Sequence, residues 1–260
     1  MRQITLGADL TVFGLNPDET RFMYREIFED RCYLQHGLTL EDGDCVFDVG
    51  ANIGMATLFF HRERRPIRIF AFEPNPAVAE CLRANIAMHG VDARVFAIGL
   101  MGASRTEEFT LYPSNSAASG FHADAARDRA ATERYLVNTG VSPHGAEVFA
   151  AALFRKQEKF SCPVRTLSEV VDEEGVERID LLKIDAERSE RDVIAGIRED
   201  HWGRIRQIVM ELTDEDGSLH EVEAMLGDRG FKVIAKQEPL LRGTPIYNLF
   251  ASKRAGSIAD

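Results

Sequence analysis

An apolar run, Cys45-Val46-Phe47-Asp48-Val49, is followed by Gly50-Ala51-Asn52-Ile53-Gly54 and then by helix-forming residues from Met55 to Arg64. Glycine lets a strand turn tightly into a helix and lets a ligand approach the backbone closely. The start of the helix offers free N–H groups to a polar or anionic ligand. The two glycines are four positions apart with Asn52 between them, so the G-x-G-x-x-G pattern that cradles a dinucleotide pyrophosphate is absent. Asp48, two places before the first glycine, would repel a pyrophosphate and suits a ligand carrying an ammonium or sulfonium. The plain alternative is an ordinary strand-to-helix turn.

Glu73 closes a second apolar run, Ile67 to Phe72, nineteen positions after Gly54, and precedes Pro74-Asn75-Pro76. An acidic residue at that offset holds a ribose diol through paired hydrogen bonds. Taken singly, Glu73 reads equally as a solvated glutamate at a strand end. Asp48, Gly50, Gly54 and Glu73 together, at the carboxyl ends of neighbouring strands, point to an adenosine ligand. Asp48 favours S-adenosyl-L-methionine over NAD.

A third run, Ile179-Asp180-Leu181-Leu182-Lys183-Ile184-Asp185-Ala186-Glu187, reads as a buried strand delivering Asp185 and Glu187 to its carboxyl end, with Asp180 in the turn before it. In a doubly wound sheet that end faces the ligand crevice. Glu187 also suits the electrostatics of a helix start. Glu211, ending Gln207 to Leu212, should enter the same crevice from the next strand, unless it pairs with Arg206 or Lys183. These two carboxylates and His36 are the candidates for catalysis; a helix-end cap is the alternative for His36. Asp185 and Glu211 have the oxygen chemistry to bind Mg²⁺, but a base or orienting role is the expectation and no metal is assigned. No HxxxH, HExxH or G-x-S-x-G occurs, which argues against a zinc enzyme or serine hydrolase.

The elements that position these residues follow a βα rhythm. Strands are expected over 45–49, 67–72, 94–98, 179–184 and 205–212, with helices over 55–64, 77–89, 189–199 and 219–229. Gly90 stops the second of these helices as a C-cap. A closing pair of strands is expected over 231–235 and 246–251, and a frayed end over 254–260. Such alternation builds a parallel sheet. An amphipathic helix over 18–34 makes residues 1–44 an N-terminal helical cap on a single-domain core over 45–254. Residues 114–159 break the rhythm and read as a helical insertion. Before them, 107–112 is a hairpin-like strand; after them, 160–166 is a strand that Pro163 places at an edge or bend.

The 260 residues carry 42 acidic and 31 basic side chains, a net charge of −11. That disfavours a nucleic-acid partner. Four cysteines without CxxC spacing read as reduced thiols. The start shows no basic-then-apolar signal segment, and no run reaches the length of a membrane span. A cytoplasmic enzyme without membrane or nucleic-acid partners is expected.

In order, VFDVGANIG, FAFEPNP and IDLLKIDAERSERDVIAGI resemble the FkbM family of S-adenosylmethionine-dependent methyltransferases. EIFEDRCYLQHGLTLEDGD and FTLYPSNSAASGF are similar to its branch in polyketide and nonribosomal-peptide biosynthesis. The resemblance runs from about Asn16 to Phe250. It implies a Rossmann-like class I fold, with a seven-stranded, mostly parallel sheet whose last strand is antiparallel. It implies further that Asp48, Gly50, Asn52 and Gly54 surround the methionine end of the cofactor. Glu73 would hold the ribose, Pro74 and Asn75 would shape the adenine edge, and Asp185 would lie near the sulfonium. In one place the chain departs: the family reads KIDVEGAE where this chain reads KIDAERSE, so Arg188 replaces a glycine. The expected reaction is O-methylation of a small-molecule or carrier-tethered natural-product intermediate. The alternatives are an NAD-dependent oxidoreductase and a non-catalytic cofactor-binding module.

Overall fold

The computed structural model describes residues 1–254 of the 260. The frayed end expected over 254–260 lies, apart from Arg254, outside the described residues. The chain opens with an antiparallel hairpin, β1 (Arg2–Leu6) and β2 (Leu10–Gly14). Then comes α1 (Pro17–Tyr24), capped by the Asn16 side chain, which accepts from the Asp18 amide. A wider π-type turn, Arg25–Glu29, ends it. A helix is expected over 18–34 and a helical cap over the whole of 1–44. Instead, Ile4, Leu6, Leu10 and Val12 alternate with exposed or half-buried neighbours, the period-2 signature of a strand. The helix is cut short because the chain turns sharply at Arg31, φ 56°.

The core runs β3 (Cys45–Val49), α2 (Met55–Glu63), β4 (Arg68–Phe72), α3 (Pro76–His89) and β5 (Ala93–Phe96). A small side sheet follows: β6 (Gly99–Leu100) and β7 (Arg105–Leu111), then the helices α4 (Ala125–Asn138) and α5 (Pro143–Leu153), then β8 (Glu158–Arg165). The rhythm resumes with α6 (Leu167–Glu173), β9 (Leu181–Ile184), α7 (Glu190–Ala195), β10 (Gln207–Thr213), α8 (Ser218–Asp228), β11 (Lys232–Lys236) and β12 (Ile246–Ser252).

The main sheet has seven strands in the order β11-β12-β10-β9-β3-β4-β5, and β12 alone runs antiparallel. The fold is the Rossmann-like α/β arrangement expected. Chain order reverses between β3 and β9, which opens a crevice at their carboxyl ends. β7 is no tight hairpin arm: it pairs antiparallel with β8 across the whole insertion. β8 is the middle strand of the side sheet, but β6 covers only Val164 and Arg165. Pro163 therefore has a strand neighbour on one side only, compatible with its missing N–H.

Both faces of the central strands are buried, as a sheet covered by helices requires. Val46, Ile69, Leu181 and Val209 pack with the N-terminal hairpin and α2. Phe47, Phe70, Leu182 and Met210 pack on the other face with Trp202 and α6. By the same alternation Asp48, Lys183, Asp185 and Glu211 point toward the N-terminal side of the sheet.

Candidate active site

The loop after β3 can only be built with glycine at two points. Gly50 has φ 75°, and a Cβ there would lie 1.8 Å from the Asp185 carbonyl oxygen. Gly54 has φ 93°, and its Cβ would come within 2.7 Å of Leu82 on α3. The first presses the loop against the end of β9; the second lets α2 and α3 close. Asn52, φ 50°, also sits in the left-handed region, which asparagine tolerates.

Glu73 stands where β4 ends. Its Oε2 accepts from the Asn52 amide at 3.0 Å and its Oε1 from the Asn75 amide at 2.8 Å. The carboxylate is thereby fixed toward the β3 loop, with acceptor capacity left for a diol. Burial pushes its pKa up to about 7, against the pull of those two amides. Gly50, Asn52, Glu73, Pro74, Asp185 and Glu187 all line one open crevice of about 540 Å³.

Three sequence candidates act at one remove. Asp48 is fully buried and does not line the crevice. Its Oδ2 accepts from the Thr57 hydroxyl at 2.6 Å, and its Oδ1 lies 3.2 Å from Lys183 Nζ. Its side chain alternates onto the sheet face rather than into the loop. Gly54 serves helix packing. Asn75 is a buried cap on α3, its side chain accepting from the Ala77 and Val78 amides.

Lys183 was not singled out as a site residue, although a lysine inside a buried apolar strand is an unusual placement. It is opposite Asp48 in the β3–β9 pairing and 1% exposed. Nζ donates to the Val49 carbonyl at 3.1 Å and the Gly50 carbonyl at 2.8 Å, and lies 3.7 Å from Asp185 Oδ2. Its protons are directed at the carbonyls, so the Asp48 contact is an ion pair rather than an aimed hydrogen bond. Burial opposes the ammonium charge, but Asp48 and Asp185 outweigh it and hold the group above the ordinary lysine range.

The N-terminal segment brings Tyr33 to Asp185. Tyr33 Oη donates to Asp185 Oδ2 at 2.7 Å. Burial and the Asp185 charge raise its phenol pKa well above the ordinary value, so it stays a donor. His36 packs on Phe250, ring centroids 4.8 Å apart; among the described residues it makes no hydrogen bond to Asp185 or Glu211.

Glu211 lies on β10, beside β9, and shares the Asp185 face, but it does not line the crevice that holds Glu73. Burial, then the Asp185 charge, raises its pKa well above the carboxylate range. The same causes act in the same order on Glu187. Neither of its anticipated ion-pair partners, Arg206 or Lys183, reaches Glu211: Arg206 instead approaches Asp180. Among the described residues no group of three or more His, Cys, Asp or Glu has metal-ligand geometry.

Arg188, the departure from the family stretch, adopts φ 72° beside Glu187 at φ 47°. It takes the left-handed conformation a glycine would take more easily. Its guanidinium pairs with Asp128 on α4 at 2.9 Å and with Glu215 after β10. On the opposite rim, Glu19 of α1 accepts from the Ser116 hydroxyl at 2.7 Å and the Ala117 amide at 2.6 Å. Both of those residues line the crevice.

The FkbM methyltransferase domain model matches residues 48–233, from the end of β3 into β11. The chain belongs to the FkbM methyltransferase family. It is an S-adenosylmethionine-dependent methyltransferase, which decides against the NAD-dependent reading. This FkbM-family enzyme is 44% identical over 253 residues to the "31-O-demethyl-FK506 methyltransferase FkbM" of Streptomyces tacrolimicus, covering 97% of each chain. It is 37% identical to part of the "AMB antimetabolite synthetase AmbE" of Pseudomonas aeruginosa, covering 96% of this chain and 12% of that one. Among solved structures, the precorrin-6Y C5,15-methyltransferase of Geobacter metallireducens aligns with a TM-score of 0.46 at 14% identity, covering 87% of this chain and 88% of that one. No helix among the described residues is long and apolar enough to cross a membrane.

Proposed function

We propose that this enzyme methylates a hydroxyl group on a small-molecule natural-product intermediate, free or carrier-tethered. The observation that carries the reading is the 44% identity to a methyltransferase named for an O-demethyl substrate, over 97% of both chains. Its acceptor end is also rich in carboxylates able to orient a hydroxyl.

The residues present fit the cofactor. Gly50 lets the β3 loop close onto the end of β9 and lines the crevice, and Glu73 offers a buried carboxylate already aligned by two amides. Bound S-adenosylmethionine supplies an electrophilic methyl group on a sulfonium. Glu73 grips the ribose hydroxyls, Gly50 and Asn52 line the methionine end, and Pro74 shapes the adenine edge. Lys183 locks the Val49 and Gly50 carbonyls to the β9 end, so the loop and Asp185 move as one unit. With Oδ2 held by Tyr33, Asp185 presents its other oxygen to the crevice and orients the acceptor hydroxyl. Much of the rate then comes from near-attack alignment. Glu211, on the same sheet face as Asp185, is the second candidate to orient the hydroxyl or, once ionised, to receive its proton. The N-terminal segment and the 114–159 insertion act as covers that select the acceptor.

The test is transfer of isotope-labelled methyl to 31-O-demethyl-FK506 and to chemically varied hydroxylated compounds, free and carrier-bound, with the product site read by mass spectrometry. An oxygen-bound methyl is expected. Transfer only to nitrogen or carbon would overturn the reading.

A further inference from the structure

Three serines line the crevice: Ser116, Ser119 and Ser189. Two have internal partners. Ser116 donates to Glu19, and Ser119 accepts from the Tyr112 amide and approaches the Asn115 carbonyl. Ser189 differs. It is 1% exposed, and its Oγ has no hydrogen-bond partner among the described residues. A buried hydroxyl without a partner is costly and uncommon.

Its position in the chain does not explain it. Ser189 precedes α7, where a serine side chain ordinarily accepts from the first helical amides. Here its backbone, φ −98° and ψ 8°, is not that of an extended cap, and no capping bond forms. Glu190 Oε1 accepts from the Ala186 and Arg188 amides, at 3.2 and 3.0 Å, and closes the preceding loop without the hydroxyl. The hydroxyl is left over for something in the crevice.

Its surroundings indicate what that is. The crevice is also lined by Leu100, Phe109 and Phe121, and Phe121 lies so close to Gly99 that a Cβ there would meet its ring at 2.5 Å. Flat apolar walls with an isolated polar group suit a purine nucleoside.

We propose that the Ser189 hydroxyl is a cofactor-contacting group that hydrogen-bonds the adenosine half of S-adenosylmethionine. The proposal rests on the cofactor site described above. No capping bond depends on the hydroxyl, so Ser189→Ala removes the donor without removing a hydrogen bond among the described residues.

The experiment is titration calorimetry of wild type and Ser189→Ala with two probes, S-adenosylhomocysteine and 5′-methylthioadenosine, alongside the melting temperature of each ligand-free protein. The variant should lose roughly 3- to 10-fold in affinity for both probes, the value of one neutral hydrogen bond. Its ligand-free melting temperature should be unchanged or higher. Equal affinities for both proteins would overturn the proposal while leaving the cofactor site standing. So would a loss seen with S-adenosylhomocysteine but not with 5′-methylthioadenosine, which lacks the amino-acid half. A drop in ligand-free melting temperature would show that the hydroxyl has a structural partner, and would overturn it too. Failure of wild type to bind either probe would overturn the cofactor site itself.

Discussion

Tyr33 and Asp185 are 152 positions apart in the chain, yet the tyrosine hydroxyl donates to the aspartate Oδ2 at 2.7 Å. The bond ties the N-terminal segment to the strand end where methyl transfer is expected. Tyr33→Phe keeps the ring that packs beside Phe60 and removes the donor. Turnover should fall roughly tenfold or more, on the scale of a lost hydrogen bond to a charged group, with cofactor affinity little changed. Combined with Asp185→Asn it should cost much less than the sum of the two single losses, because both act through one carboxylate. Additive losses in that double-mutant cycle would separate the two residues.

Glu73 gives cofactor affinity a pH dependence. Burial sets its pKa at about 7 in the ligand-free enzyme, and ribose hydroxyls donate more strongly to the ionised form than to the neutral acid. Affinity for S-adenosylhomocysteine should therefore be level above about pH 7 and decrease below it. Glu73→Gln should weaken binding roughly 10- to 100-fold at pH 8 and flatten that dependence. Calorimetry across pH 5.5 to 8.5 reads both effects.

Stability without ligand should run the opposite way. Glu26, Glu73 and Glu190 all have pKa values raised to about 7, chiefly by burial. Between their ordinary 4.5 and 7 the folded protein binds more protons than the unfolded chain, so stability decreases as pH rises through that window and levels off above it. The melting temperature should be several degrees higher at pH 5.5 than at pH 8. A curve that climbs across this range would contradict the burial of these three groups.

Lys183→Met should be severe, because it leaves Asp48 buried without its countercharge. Breaking a buried pair this way costs about 3–5 kcal/mol. Changing Asp48 to Asn as well should recover part of that loss in denaturant unfolding, without restoring full cofactor affinity, since Val49 and Gly50 still lose their common donor.

The sheet and its crevice were legible because the βα rhythm and the glycines at 50 and 54 report local backbone needs. Glu73 was placed at the crevice by its offset read together with Asp48, Gly50 and Gly54. The N-terminal hairpin was also readable, from Ile4, Leu6, Leu10 and Val12, but charged neighbours drew attention to the helix after it. Asp48 was placed against the ligand because its spacing to Gly50 suggested it; strand alternation instead turns it inward onto Thr57 and Lys183. Tyr33 carried no local signal, since its partner lies in another element and only tertiary packing joins them. His36, near it in the chain, drew interest by residue type and packs on Phe250.

The most direct test of the whole account is single-turnover methyl transfer at saturating cofactor by wild type and Asp185→Asn, with and without EDTA. Wild type should transfer methyl to an acceptor oxygen at the same rate in EDTA. Asp185→Asn should still bind S-adenosylhomocysteine, yet transfer roughly 10²-fold or more slowly, the scale of lost acid–base and orienting help. A variant with wild-type rate, or a wild-type activity that EDTA abolishes and Mg²⁺ restores, would contradict the role given to Asp185.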